Sequence, residues 1–327
     1  MGSVLSGLLT AGGASIVAVD DLSSGRWENL APATGDRLEC IQASVTDRVA
    51  MESLVRWDTL DLVVHLAAIS SLPECEADPA KAIEVNVAGT AAVIEMARRG
   101  GVSFLVNAST SAIYERTSTL PFAETDPVAP SLIYPQSKLF AERLLSSTAE
   151  KFGMSGANLR FFNLFGPYQD FRRTSPPLLN YLVRQATRGE PAVLHSDGSQ
   201  RRDYVSTYDA CDAIGLLMAE RPSGVTCWNV CSGVDFSVRE IAGIVSSALE
   251  IALDVQYREA ELLWDAYPTL SMPPRPLNFK IVEHETNKRS LGDPTRLRDD
   301  LGWMVEPDVA LAIATVAREI AQHIRDS

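Results

Sequence analysis

Leu62-Val63-Val64-His65-Leu66, then Lys81 to Arg99 with apolar residues at three- and four-residue spacing, then Phe104-Leu105-Val106-Asn107, is the stretch that decides the fold. Two short apolar runs suit strands buried on both faces, and the spacing between them gives a helix one apolar stripe to lay on those strands. The pattern continues in both directions. Upstream, strands are predicted at Ser15 to Asp20 and Leu38 to Gln42, with a helix at Asp47 to Val55; downstream, a helix from Ser131 to Phe152 leads into a strand at Asn158 to Phe162. Repeated strand–helix alternation predicts an α/β fold with a doubly wound parallel sheet. Beyond it, Pro-rich and basic loops at Gly166 to Pro177 and Tyr267 to Lys280 mark a smaller lobe interleaved with late strands. The expected division is 1–165 for the sheet domain, with strands added from about 200–232, and 166–327 mainly for the lobe.

The 327 residues are enough for one large core and an appendage. A formal net charge of −13, from 42 acidic and 29 basic residues, repels nucleic acid and anionic membrane over most of the surface, so neither is an expected partner. An anionic small substrate then needs a local arginine cluster. Five cysteines, an odd number without metal-ligand spacing, predict reduced thiols, no metal site and a cytoplasmic protein. No charge-free run of about 18 apolar residues stands in the chain, which argues against membrane insertion.

A dinucleotide-binding unit opens with a strand, a glycine-rich turn and a helix whose N-terminus takes a pyrophosphate. Here Gly2 and Ser3 run directly into Val4 to Leu9, which already has the pattern of that helix. Gly2 reads either as the last glycine of such a turn or as an ordinary terminus. Asp20 and Asp21 then sit where the following strand ends. A carboxylate there accepts the hydroxyls of an adenosine ribose and repels a 2′-phosphate, which favours NAD over NADP; alone, an Asp after a strand also reads as a turn residue.

Tyr134-Pro135-Gln136-Ser137-Lys138 places a phenol and an ammonium on one helical face, one turn apart. A phenol with pKa near 10 is a poor base, and adjacent positive charge stabilises its anion. Tyr and Lys at this spacing also occur on many helices by chance. Ser109, Thr110 and Ser111 stand at the carboxyl end of a predicted strand, where open α/β sheets bind ligands, although such a tip in isolation also reads as a Ser/Thr turn.

Over essentially its whole length the chain resembles the extended short-chain dehydrogenase/reductase family, most of all its nucleotide-sugar 4-epimerases. The landmarks occur in order: Asp20-Asp21-Leu22, His65-Leu66-Ala67-Ala68, Asn86-Val87, Ser109-Thr110-Ser111, Tyr134 to Lys138, Arg160-Phe161-Phe162-Asn163, Gly166-Pro167, Arg202-Asp203-Tyr204 and Asn229-Val230 before Ser232-Gly233. The resemblance implies a Rossmann-like sheet with a C-terminal substrate lobe, NAD as cofactor and a nucleotide-diphosphate sugar, a UDP-sugar above all, as substrate. It implies Thr110, Tyr134 and Lys138 as catalytic residues. It implies Gly2, Asp20, Asp21, Ala67, Ala68 and Lys138 at the cofactor, and Ser109, Asn163, His195, Arg202 and Arg275 at the substrate. It also implies a homodimer through the helices Lys81 to Arg99 and Ser131 to Phe152.

Two departures stand against this likeness. Ser44 replaces the Asp that contacts the adenine in the family, and the first strand with two glycines of the turn does not stand in this sequence. The expectation is a start downstream of the ancestral one, or an altered NAD seat. Ser111 and Ala112 stand where related dehydratases carry Asp-Glu, and Ala112 removes the carboxylate of related decarboxylases, so elimination and decarboxylation lack their proton carriers. What remains is reversible oxidation at C4 with Tyr134 as base. The alternatives are a ketosugar reductase of the same family, or a repurposed scaffold that binds ligand or does non-redox chemistry.

Overall fold

The computed structural model describes residues 1–30, 37–170, 173–259, 262, 264, 266–279 and 288–326. Helix α1 (Gly2–Ala11) leads to two parallel strands, β1 (Ile16–Asp20) and β2 (Leu38–Gln42). The Asp47 side chain caps α2 (Arg48–Leu54) by accepting from Ala50 N–H at 3.0 Å. Strand β3 (Leu62–His65) follows, then α3 (Leu72–Ala77) and a long helical stretch made of α4 (Pro79–Ile83), a π-turn at Glu84–Gly89 and α5 (Thr90–Gly100). The spacing from Lys81 to Arg99 predicts an unbroken α-helix. The structure inserts a π-turn instead, which carries Asn86 inward, fully buried.

Strand β4 (Phe104–Thr110) is buried along its whole length and runs three residues beyond the predicted end at Asn107, so Ser109 and Thr110 belong to the sheet. Helix α6 (Ile133–Phe152) ends on Gly153, whose φ of +70° is the left-handed conformation glycine adopts without penalty. Strand β5 (Ser155–Phe161) then pairs with β4. Strand β6 (Asn163–Phe165), helix α7 (Leu178–Arg188), and strands β7 (Ala192–His195) and β8 (Arg201–Ser206) come next, followed by α8 (Thr207–Glu220) and β9 (Val225–Val230). Strand β10 (Asp235–Ser237), helix α9 (Val238–Leu249) and strand β11 (Val255–Arg258) follow, and the chain closes with helices Thr295–Leu301 and Val309–Asp326.

The main parallel sheet has the order β3-β4-β5-β9, and β1-β2 form a separate parallel pair. Among the described residues β1 pairs only with β2 and β3 only with β4, so the parallel system is divided between β1 and β3. Its consequence is visible in burial: Ile16 to Val19 and Leu62 to Val64 are half-exposed, whereas every residue of β4 is buried.

Helices cover both faces of the main sheet. On one side α1 and α8 pack with Phe104, Val106, Leu159 and Trp228; on the other Leu105 meets α5 and α6 through Val93, Met96 and Leu145. A second core lies between α7, α9 and Val309–Asp326, with Leu182, Val183, Ile241, Val245, Ile313 and Val316 at its centre. Two smaller sheets, β10-β8-β6 and β11-β7, accompany it. Asp203 on β8 ties this part to the main sheet. Its buried carboxylate accepts from Ser232 N–H at 2.8 Å, Ser232 Oγ at 2.9 Å, Gly233 N–H at 2.9 Å and Gly292 N–H at 3.2 Å. No helix among the described residues is long and apolar enough to cross a membrane.

Candidate active site

Tyr134 stands in the first turn of α6, where Pro135 removes an N–H that would have no intrahelical acceptor. The start of this helix is held from outside, since its own flanking residue Leu132 offers no side-chain cap. Glu115 accepts from the backbone N–H of Ser131 at 2.7 Å and of Leu132 at 3.1 Å, and also bonds the Ser131 hydroxyl; Glu76 of α3 accepts from Ile133 N–H at 2.6 Å. Two carboxylates from separate segments therefore fix the turn that carries the phenol, and both complement the positive end of the helix.

Thr110, the last residue of β4, stands beside the Tyr134 phenol. Burial pushes the Tyr134 phenol up to about 12, while the Thr110 hydroxyl and the Arg173 guanidinium pull it down and Cys75 pushes it up. Without further positive charge this phenol stays protonated at neutral pH. One turn on, Lys138 is 2% exposed and makes no hydrogen bond among the described residues. Burial pulls its ammonium down to about 8, against the raising effect of Glu142.

The loop after β3 faces this helix. Ala67 and Ala68 are half-buried in it, and Asn86, aimed inward by the π-turn, holds the next residue: its Oδ1 accepts from Ile69 N–H at 2.8 Å and its Nδ2 donates to Ile69 O at 2.9 Å. The same Nδ2 reaches Ser137 Oγ at 3.1 Å, so one carboxamide joins the loop to the catalytic helix. His65, buried at the end of β3, places Nε2 2.9 Å from Thr90 Oγ1. Burial first, and the Lys138 charge second, push it down to about 3, which leaves it neutral.

The Lys138 side chain is buried and its ammonium meets no acceptor among the described residues, and ribose hydroxyls can accept from it. At the far end Asp20, the exposed last residue of β1, has Oδ1 accepting from Leu22 N–H at 2.7 Å; a Cβ on Gly25 would lie 2.9 Å from Oδ2, so that glycine leaves room for the carboxylate. Asp21 is exposed and accepts from Ser23 N–H at 3.0 Å. Between them, α1 begins at Gly2 with no side-chain cap. A Cβ at Gly2 would meet Leu66 at an ordinary 3.7 Å, so no protein atom requires glycine there. Ser44 spends its hydroxyl on Thr46 at 2.9 Å. Both ends of the site fit the dinucleotide.

The substrate-side candidates are placed less uniformly. Ser109 is 3% exposed and turns inward to Glu142 Oε1 at 2.5 Å. Asn163 begins β6 and is half-buried. His195 ends β7 with a buried Nδ1 that has no partner among the described residues, so it has one unused hydrogen-bonding position. Arg202 on β8 gives Nη1 to the carbonyls of Arg201 and Lys288. Arg275 is exposed in the segment after Leu270, and that segment packs against Leu132 at the start of α6. Gly166 is needed as glycine, because a Cβ would collide with the Thr207 side chain. The structure thus brings Thr110, Tyr134 and Lys138 together and leaves Arg275 at the surface. Sequence patterns gave no role to Glu76, Asn86, Glu115, Glu142 or Arg173; each acts across a long chain separation, and only the Asn86-Val87 landmark marked one of them.

Three comparisons bear on this arrangement. The profile of the NAD dependent epimerase/dehydratase family matches residues 1–231. The UDP-glucose 4-epimerase of Mycolicibacterium smegmatis is 30% identical over 315 residues, covering 95% of this chain and 92% of its own. Among solved structures, the UDP-glucose 4-epimerase of Thermotoga maritima with UDP-glucose superposes with a TM-score of 0.85 at 24% identity, covering 99% and 96% of the two chains. The Thermus thermophilus UDP-glucose 4-epimerase complex with NAD gives 0.81 at 25%, covering 98% and 95%. With Tyr134 and Lys138 one turn apart beside Thr110, and a profile that spans the whole parallel sheet, the chain belongs to the NAD dependent epimerase/dehydratase family.

Proposed function

We propose that this protein is an NAD-dependent nucleotide-sugar epimerase that inverts C4 of a UDP-sugar through its 4-keto form. The observation that carries this reading is Lys138, whose side chain is buried and makes no hydrogen bond among the described residues, one turn from the Tyr134 phenol and beside Thr110. Bound NAD would supply the acceptor and the donor of hydride at C4, together with positive charge beside Tyr134. Asp20, Ala67, Ala68 and Lys138 would hold it, with the start of α1 at Gly2 facing its diphosphate.

Thr110 would accept or donate a hydrogen bond at the sugar 4-oxygen and keep that oxygen against the phenol. Tyr134 would take the hydroxyl proton as the ketone forms and return it as the inverted alcohol forms. Its burial keeps it protonated until positive charge arrives, so the base is generated only when the site is filled. Asn163 and Arg202 would face the nucleotide diphosphate and His195 its base, where a lobe built mainly from 166–327 meets the sheet. The isolated thiols support a cytoplasmic setting. Exposed Phe140 on α6 supports a dimer through that helix.

The test is incubation of the purified protein with UDP-glucose and with other UDP-sugars, following C4 inversion by NMR, with NAD measured after denaturation. Inversion without added cofactor, lost by about 100-fold or more in Tyr134→Phe, supports the reading. Net consumption of NADH with a keto sugar assigns the reductase reading instead. Neither reaction, with no NAD bound, leaves the repurposed scaffold.

A further inference from the structure

Behind the phenol and the ammonium lies a buried polar layer that the proposed reaction does not use. Strand register aligns Ser109, Arg160 and Asn229 across β4, β5 and β9, and one step back aligns Asn107, Asn158 and Cys227. Glu142, one turn beyond Lys138 on α6 and 4% exposed, descends into the middle of this layer. Its Oε1 accepts from Ser109 Oγ at 2.5 Å and Arg160 Nε at 3.0 Å, and its Oε2 accepts from Arg160 Nη2 at 2.9 Å. Arg160 Nη1 continues to Tyr114 OH at 2.8 Å, and Tyr114 donates to Asn229 Oδ1 at 2.9 Å.

We propose that Glu142 is a positioning residue of the reaction, locking the β4 tip that carries Thr110 to the helix that carries Tyr134 and setting its carboxylate one helical turn from Lys138. The geometry has two parts. Ser109 immediately precedes Thr110, so a short hydrogen bond from Ser109 to α6 fixes the strand tip against the helix; the two-point contact with Arg160 fixes the carboxylate itself. The titratable groups facing Lys138 are then Glu142 on its own helix and the neutral His65 from β3. Those facing Glu142 are Lys138, Arg160 from β5 and the Cys227 thiol from β9. Burial alone pulls Lys138 down, and Glu142 is the charge that opposes it.

This inference rests on the epimerase reading, so its test includes a measurement that needs no substrate. Lysines labelled at Cε are titrated by NMR in the wild type, in Glu142→Gln and in the doubly neutral Glu142→Gln/Arg160→Gln, with Lys138 assigned by its loss in Lys138→Met. In wild type Lys138 titrates near pH 8; without the carboxylate it titrates lower by about one pH unit or more. In turnover, both variants are expected to lose about 10- to 100-fold in kcat, with KM for the UDP-sugar changed less than about three-fold and the alkaline limb moved to lower pH. The double variant removes both members of the Glu142–Arg160 pair, so it does not leave Arg160 charged without its carboxylate and separates folding from catalysis. An unchanged Lys138 titration, or full kcat in the double variant, overturns the proposal. Wild-type protein that shows the lysine shift but converts no UDP-sugar overturns the functional reading and leaves the charge coupling standing.

Discussion

Asn86 grips the backbone of Ile69 on both sides, accepting its N–H at 2.8 Å and donating to its carbonyl at 2.9 Å. This two-point contact has the geometry of a strand pairing, made by a side chain to a loop. It also explains the π-turn at Glu84–Gly89, which adds the residue needed to turn Asn86 inward.

Replacing Asn86 by Ala leaves Ile69 N–H without a partner and its carbonyl with only the Cys75 thiol, 3.4 Å away, in a half-buried setting. A stability loss of about 2–4 kcal/mol is expected, read as a fall in Tm of several degrees. Because Ala67 and Ala68 precede Ile69, bound NAD should also escape faster on dilution in this variant. Asn86→Asp keeps the acceptor but turns an anion toward Ile69 O, and should be no better than Ala. A wild-type Tm in either variant would mean that the loop holds its shape without this contact.

His65 makes stability depend on acid. Its folded value of about 3 lies below the unfolded 6.5, so its contribution is fully present above pH 6.5 and is lost as pH falls toward 3, where the folded state also takes the proton. In that window the unfolded chain binds one more proton at this position, a slope of about 1.4 kcal/mol per pH unit. His65→Asn should therefore flatten the decline of stability between pH 6.5 and the acid end of the measurable range. Parallel curves of urea midpoint against pH for the two proteins would contradict that assignment.

How far the chain could be read in advance follows from the range of its contacts. β1, β2, β3 and α2 match their apolar periodicity closely, since each is decided by neighbours within one helix turn or strand. Tyr134 and Lys138 were legible because their relationship is four residues long. Thr110 was legible because a strand's carboxyl end has a known use. Glu142 was not: a Glu on an amphipathic helix reads as a solvated face, and only Ser109, 33 residues away, and Arg160, 18 away, turn it into a buried hub. Likewise 51 residues separate Asn86 from Ser137, and no local pattern distinguishes a π-turn from ordinary helix. Arg202 shows the opposite case, a residue legible by motif whose guanidinium spends donors on the carbonyls of Arg201 and Lys288.

Asp203 supplies a prediction independent of catalysis. Asp203→Ala removes the acceptor of three backbone N–H groups and one hydroxyl at the junction between β8, the turn after β9 and Gly292. A cost of about 3 kcal/mol or more follows, since several buried donors are orphaned together. Asp203→Asn retains one acceptor oxygen but sets an NH2 against N–H donors, so it should recover only part of that loss. Equal urea midpoints for wild type and Asp203→Ala would show that the junction is held by packing alone.

Lys138 is expected to separate activity from stability. Its folded value, about 8, lies below the ordinary 10.5, so its favourable contribution exists only above pH 10.5 and is lost as pH falls through 8. At pH 7 the native protein therefore carries a desolvated cation at a cost of up to about 3 kcal/mol. Lys138→Met keeps the length and apolar stem of the side chain and removes the charge. It should raise the Tm of the cofactor-free protein at pH 7, and the gain should shrink as pH approaches 10. The same substitution should abolish NAD retention and C4 inversion, because Met offers no donor to ribose hydroxyls. A variant that is both inactive and less stable at pH 7 would mean that the ammonium has acceptors in the folded protein and that its role is structural.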